Sequence, residues 1–147
     1  MVVLVCALAL AVVLGLVLRW RNGRFTSPNP APRASADDAA IPASAAAPTS
    51  PLTEFARGER ATLLQFSSAF CAPCRATRRT LTEVSDAVPG VAHVEIDAES
   101  HLELVRRLNI LRTPTTIVLD AKGTEVARAS GAPTKPQVIQ ALGLAVS

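Results

Sequence analysis

Hydrophobic and polar positions divide the chain into three stretches. From Val2 to Leu18 no side chain is charged or strongly polar. From about Phe25 to Pro51 the chain is mostly Pro, Ala and Ser, and from Leu52 to Ser147 apolar and polar residues alternate with the short periods of packed structure. In the last stretch Thr62–Ser67 predicts a strand and Cys71–Val88 a helix, because Cys74, Thr77, Leu81, Val84 and Val88 recur at spacings of three and four and form one apolar stripe. Pro89-Gly90 ends that helix. Val91–Asp97 predicts a second strand, and Ser100–Leu108 a short helix with Ser100 as cap and Glu103 three residues on. Thr115–Leu119 and Thr124–Ala129 predict a hairpin joined by Asp120-Ala121-Lys122-Gly123, and Lys135–Leu142 a last helix. The order β-α-β-α-β-β-α implies an α/β fold with a mixed central sheet and flanking helices.

The apolar N-terminal run is 17 residues long, about 26 Å at the rise of an α-helix. No Lys or Arg precedes it and Arg19-Trp20-Arg21 follows directly, so it reads as an uncleaved transmembrane anchor (residues 1–20) rather than a signal peptide. The basic flank places Met1 outside and the folded part on the cytoplasmic side of a cell membrane crossed once. The alternative is an extracytoplasmic domain, where disulfide chemistry differs. Residues 21–51 carry Pro28, Pro30, Pro32, Pro42, Pro48 and Pro51 and few large apolar side chains. They are expected to form a flexible, semi-extended linker to a domain over 52–147.

The net charge of +3 changes little once it is located. Residues 52–147 hold eleven Lys/Arg against ten Asp/Glu, and the surplus sits at Arg19, Arg21, Arg24 and Arg33. That is a membrane flank and not a nucleic-acid surface. Only Cys71 and Cys74 fall in the folded part, too few for a disulfide scaffold. His93 and His101 lack ligand-like spacing to them, so no metal is expected; both read as ordinary surface or sheet residues.

Cys71-Ala72-Pro73-Cys74 lies between a predicted strand and a predicted helix. Thiol–disulfide exchange needs one thiolate open to attack and a second thiol close enough to resolve the mixed disulfide. Cys71 at the helix N-terminus gains from the free N–H groups and the dipole there, Cys74 lies one turn inside, and Pro73 in the first turn forfeits no helical hydrogen bond.

With Leu63-Leu64-Gln65-Phe66, Phe70-Cys71-Ala72-Pro73-Cys74, Val94-Glu95-Ile96-Asp97, Arg112-Thr113-Pro114-Thr115 and Ser130-Gly131-Ala132, the stretch from roughly Leu52 to Leu144 resembles the thioredoxin family. The resemblance implies a thioredoxin-like fold and disulfide exchange without a cofactor. Protein disulfides would be the substrates and another dithiol the electron donor. It also implies a cis bond before Pro114, with Phe70, Ala72, Pro73, Thr113 and Pro114 lining the substrate contact; by spacing alone, Pro114 is equally an ordinary strand-start proline. The chain departs from the family at Phe70 and Ala72, where a typical thioredoxin has Trp-Cys-Gly-Pro-Cys, and at Arg79, where a helix proline is usual. It departs again at Gln65, where the family has a buried Asp that helps move the second cysteine's proton. An amide is no general base, though Gln65 is equally compatible with a core hydrogen bond. Arg75, Arg78 and Arg79 could favour a Cys71 thiolate or steer an acidic partner, or be a solvated helix face. The family's first strand and helix are absent, with Leu52 and Phe55 as a vestige. A monomer is expected. A membrane-tethered binding or redox-sensing module without turnover is the alternative function.

Overall fold

A strand whose seven residues are all buried, β2 (Ala61–Ser67), forms the centre of the molecule. The computed structural model describes residues 2–21, 23–26 and 52–146, with the side chains of 3–17 in the first of these stretches. Because strand side chains alternate in direction, β2 feeds two cores. Leu64 and Phe66 pack with Leu52, Ile96, Leu104 and Ile117 on one face, and Leu63 packs with Leu81, Val84, Val118 and Val138 on the other. Each such side chain contributes about 1.5–3 kcal/mol of burial, which makes this strand the mechanical base for the loop that follows it.

The remaining elements are α1 (Val2–Arg21), β1 (Phe25–Thr26), α2 (Ala72–Ala87), β3 (Val91–Asp97), α3 (Leu102–Arg107), β4 (Thr115–Asp120), β5 (Glu125–Ser130) and α4 (Lys135–Ala145), with a short 3-10 turn at Thr53–Phe55. The sheet order is β1-β5-β4-β2-β3. β2 runs parallel to β3 and antiparallel to β4, and β4 and β5 form the expected hairpin. In its turn Asp120 Oδ1 accepts from Lys122 N and Thr124 N, both at 2.8 Å. Gly123 has φ 79°, and a Cβ there would lie 2.6 Å from Thr53 Cα, so the position requires glycine.

Two expectations are corrected. The third helix begins later than Ser100: His101 is its N-cap with no side-chain cap bond, and Ser100 Oγ instead donates to Asp97. The linker does not begin at residue 21 as a free segment, because Phe25 and Thr26 pair with Ala129 and Arg128 as an antiparallel edge strand, and Gly23 N donates to Ser130 O at 2.9 Å. Phe25 packs against the core on the α4 side. The rest of the expected linker, 27–51, lies outside the described residues. The fifteen described side chains of α1, from Val3 to Val17, are all exposed, and among the described residues no helix is long and apolar enough to cross a membrane.

Candidate active site

β2 ends at Ser67, and three residues later the chain turns into α2 with Cys71 as its N-cap. A cap residue is extended, and its side chain accepts from the first-turn N–H groups that have no helical partner. Here that side chain is a sulfur: Cys74 N donates to Cys71 Sγ at 3.1 Å. Pro73 occupies the first turn. Cys71 and Cys74 form a disulfide, with Cα atoms 5.2 Å apart. Cys71 is 9% exposed and Cys74 2%, so Cys71 is the outer sulfur.

The loop meets the cis-proline segment through Ser68. Cys71 N donates to Ser68 O at 3.4 Å, and Ser68 Oγ lies 3.0 Å from Thr113 Oγ1. The Thr113–Pro114 bond is cis. The structure thus gathers the residues singled out from the sequence at one end of the sheet. Phe70 stands 99% exposed beside the pair, Ala72 and Pro73 are exposed, Thr113 is partly buried and Pro114 is buried.

Beneath the pair lies a network that the sequence left unassembled. Gln65, fully buried, donates from Nε2 to Cys74 O at 3.1 Å. Its Oε1 lies 3.2 Å from His93 Nε2, and His93 Nδ1 lies 3.2 Å from Thr82 Oγ1. The amide's donor is used at Cys74, so His93 carries its proton on Nε2 and accepts from Thr82 on Nδ1. Burial pushes the imidazole below its ordinary pKa, opposed by Glu95 and reinforced by Arg78. His93 is therefore a partner of the site and not the ordinary sheet residue expected. The signal was one of parity. Gln65, Ser67, His93 and Glu95 all sit on alternate strand positions that face α2, on adjacent parallel strands.

Glu95 is held between Arg78 and Ser67. Arg78 reaches both carboxylate oxygens, at 2.6 and 2.7 Å, and Ser67 Oγ donates to Oε1. Burial alone would raise this carboxyl, but the Arg78 and Ser67 hydrogen bonds and the Arg78 charge hold it below its ordinary pKa. Arg78 is thereby committed to Glu95 and not to Cys71. A cleft of about 450 Å³ opens beside Cys71 and Cys74, walled by Ser67, Arg75, Arg78 and Glu95 among others. Among the described residues no cluster of His, Cys, Asp and Glu is arranged to hold a metal.

Residues 52–145 match the family model described as a thioredoxin-like domain. Thioredoxin-2 of Pyricularia oryzae is 32% identical over 80 residues, 54% of this chain and 45% of the relative. The thioredoxin of Mycoplasma genitalium is 26% identical over 88 residues, 60% of this chain and 85% of the relative. The chain thus spans just under half of the first relative's length and most of the second's. Among solved structures, thioredoxin NaTrxh from Nicotiana alata superposes with a TM-score of 0.56 at 20% identity, over 65% of this chain and 82% of that one. Thioredoxin from Trypanosoma brucei brucei gives 0.53 at 23% identity, over 61% and 78%. At such identities these structures speak for the fold, which they share with the sheet and helices described above. With the family model covering everything from Leu52 to Ala145, the chain belongs to the thioredoxin-like domain family.

Proposed function

We propose that this protein is a thiol–disulfide oxidoreductase that reduces, or exchanges, protein disulfides through Cys71 and Cys74. The observation that carries the reading is the capping geometry. Cys71 Sγ sits at a helix N-terminus accepting from Cys74 N, and the buried Cys74 sulfur is already bonded to it. In the reduced protein the same N–H and the helix dipole favour a Cys71 thiolate. That thiolate attacks one sulfur of a substrate disulfide, forming a mixed disulfide and releasing the other substrate sulfur as a thiolate. Cys74 then loses its proton and attacks Cys71 Sγ, which re-forms the Cys71–Cys74 bond and releases the second substrate thiolate. The substrate gains two electrons, which a dithiol donor restores to the protein. Phe70, Ala72, Pro73 and the Thr113–Pro114 segment form the contact surface for the substrate chain. No cofactor enters the cycle.

The same proposal places the protein on a membrane as a single-pass, monomeric chain. From Val3 to Val17 the described side chains of α1 are all uncharged and all exposed, and a stretch of that kind requires a cover, for which this reading takes lipid. Arg19, Arg21 and Arg24 at its end favour the cytoplasmic side for the domain. A C-terminal reporter that matures only in the cytoplasm is expected to be active, and a dark reporter would reverse the orientation.

Cys74→Ser tests the exchange. The variant is expected to accumulate mixed disulfides through Cys71 that reducing agent releases. A tethered module that merely keeps the pair as a static or sensing disulfide would trap nothing specific.

A further inference from the structure

The short strand β1 does more than extend the sheet: it fixes where the end of α1 can be. We infer that the active-site end of the domain is clamped toward the membrane, so that the partners of Cys71 and Cys74 are membrane-embedded proteins whose disulfides or dithiols lie at the bilayer surface. This rests on the proposed exchange activity and on the proposed anchor.

The clamp is built at Gly23. Its N–H donates to Ser130 O at 2.9 Å, it is buried, its φ is 77°, and a Cβ there would lie 2.2 Å from Ala132 O. Only glycine fits. One residue separates Gly23 from Arg21, the last residue of α1, so their Cα atoms are at most about 7.6 Å apart. Whatever the helix tilt, α1 therefore ends beside Gly23.

Gly23 lies at the same end of the sheet as the cysteines. Ser130, its partner, pairs with Thr115, and Thr115 pairs with Phe66, one residue before β2 ends. Gly131 N donates to Pro114 O at 2.7 Å, and Arg112 Nη2 to Ser130 O at 2.7 Å. From β1 across β5 and β4 to β2 is three strand spacings, about 14 Å. Adding the step from Arg21 to Gly23 puts the sulfur pair on the order of 25 Å from the end of α1. The β4–β5 turn at Lys122 is at the opposite end of the same strands, about 20 Å along β5 from Ser130 and Gly23. Phe70, next to Cys71 in the chain, and Leu111, two residues before Thr113, are 99% and 85% exposed and give the near end apolar contact surface. A domain on a loose tether would present this surface in every direction. A clamped one presents it to targets in its own membrane.

The test uses the full chain in phosphatidylcholine vesicles with Cys6→Ser, the Cys71–Cys74 pair oxidised, and a fluorophore at Leu111→Cys or Lys122→Cys. A short-range nitroxide on the lipid headgroup is expected to quench the label at 111 several-fold more than the label at 122. Gly23→Val, which opens the clamp, should erase that difference. So should about twelve Gly/Ser residues inserted between Arg21 and Gly23, with a reach of ~20 Å, which leave the clamp whole should Gly23→Val fail to fold. With the pair reduced by dithiothreitol, a disulfide-bridged peptide carrying a lipid chain should be consumed several-fold faster than the same peptide without it. Both changes should lower that ratio and leave the rate on the soluble peptide unchanged. Equal quenching at the two labels, or a ratio indifferent to both changes, overturns the clamp while the exchange and the anchor stand. Failure of the protein to float with vesicles overturns the anchor and the inference with it, and failure to reduce either peptide overturns the exchange.

Discussion

Removing the amide beneath Cys74 should reveal whether Gln65 and His93 act as a unit. Gln65→Leu keeps the volume but deletes a donor to Cys74 O and an acceptor for His93 Nε2. Two net hydrogen bonds are lost, at about 1 kcal/mol each. His93 is only half-buried, so its freed N–H can turn to water. The expected cost is therefore about 1–2 kcal/mol. His93→Leu removes one of those bonds but strands Gln65 Oε1, which has no exposure at all, and a stranded buried acceptor costs ~1–3 kcal/mol. In the double variant nothing polar is orphaned. Its cost should fall below the sum of the singles by roughly 1–2 kcal/mol, within the range for contacting residues. In a domain of this size each kcal/mol moves the melting temperature by about 4–8 °C, so thermal unfolding of the four oxidised proteins followed by circular dichroism resolves the cycle. Costs that add to within about 0.5 kcal/mol, as for independent sites, would refute the network.

The pH dependence follows from the same side chains. His93 titrates below its ordinary value in the folded state because of burial, so the unfolded chain binds its proton first, and stability should fall as pH drops below about 6.5. Glu95 is also held below its ordinary value, burial being outweighed by Arg78 and Ser67, so its contribution is present above its unfolded pKa and should disappear in a second, more acidic step. Guanidinium midpoints across that range should show both steps, and His93→Gln should remove the first alone; a profile unchanged by that substitution would refute the assignment. Thr116, on β4 opposite Gln65, has a buried hydroxyl without a hydrogen-bond partner. Thr116→Val should therefore stabilise the domain by about 1 kcal/mol, and a loss of similar size in the same unfolding assay would show that the hydroxyl is used.

Most of the domain was legible because periodicity reports burial. The stripe of Cys74, Thr77, Leu81 and Val84 is the buried face of α2, and β3 runs over Val91–Asp97, the span its β-type run predicted. β1 was hidden for the opposite reason. Phe25-Thr26 is too short to carry a period and lies in a Pro/Ala/Ser-rich context, and its pairing is set by the free edge of β5, which only the fold reveals. The end of α3 nearest Ser100 was misplaced because a serine hydroxyl can serve a neighbouring carboxylate as well as a helix N–H, and Asp97 captured it. Cys71 and Cys74 were legible from spacing, Thr113 and Pro114 only from the resemblance. His93 was missed because a histidine in a strand reads as bland until the side chain opposite is known.

The position of Gln65 gains its meaning from the sheet. β3 is an edge strand, paired on one side only, so the side chains that reach toward Gln65 from it are His93 and, nearer solvent, Glu95. A carboxylate at position 65 would be buried completely. Its charged form would be disfavoured by desolvation unless the imidazole beside it became a cation, and Glu95 already engages the nearest guanidinium, that of Arg78. An amide facing a neutral imidazole satisfies both groups without charge and still holds the Cys74 carbonyl. The proton of Cys74 then has no buried base to receive it. The cleft beside the cysteines, walled by Glu95 and open to solvent, is where it would leave. Proton release at this site should therefore depend on access to that cleft, and substitutions that fill it, such as Ser67→Val, should slow resolution of the mixed disulfide more than its formation.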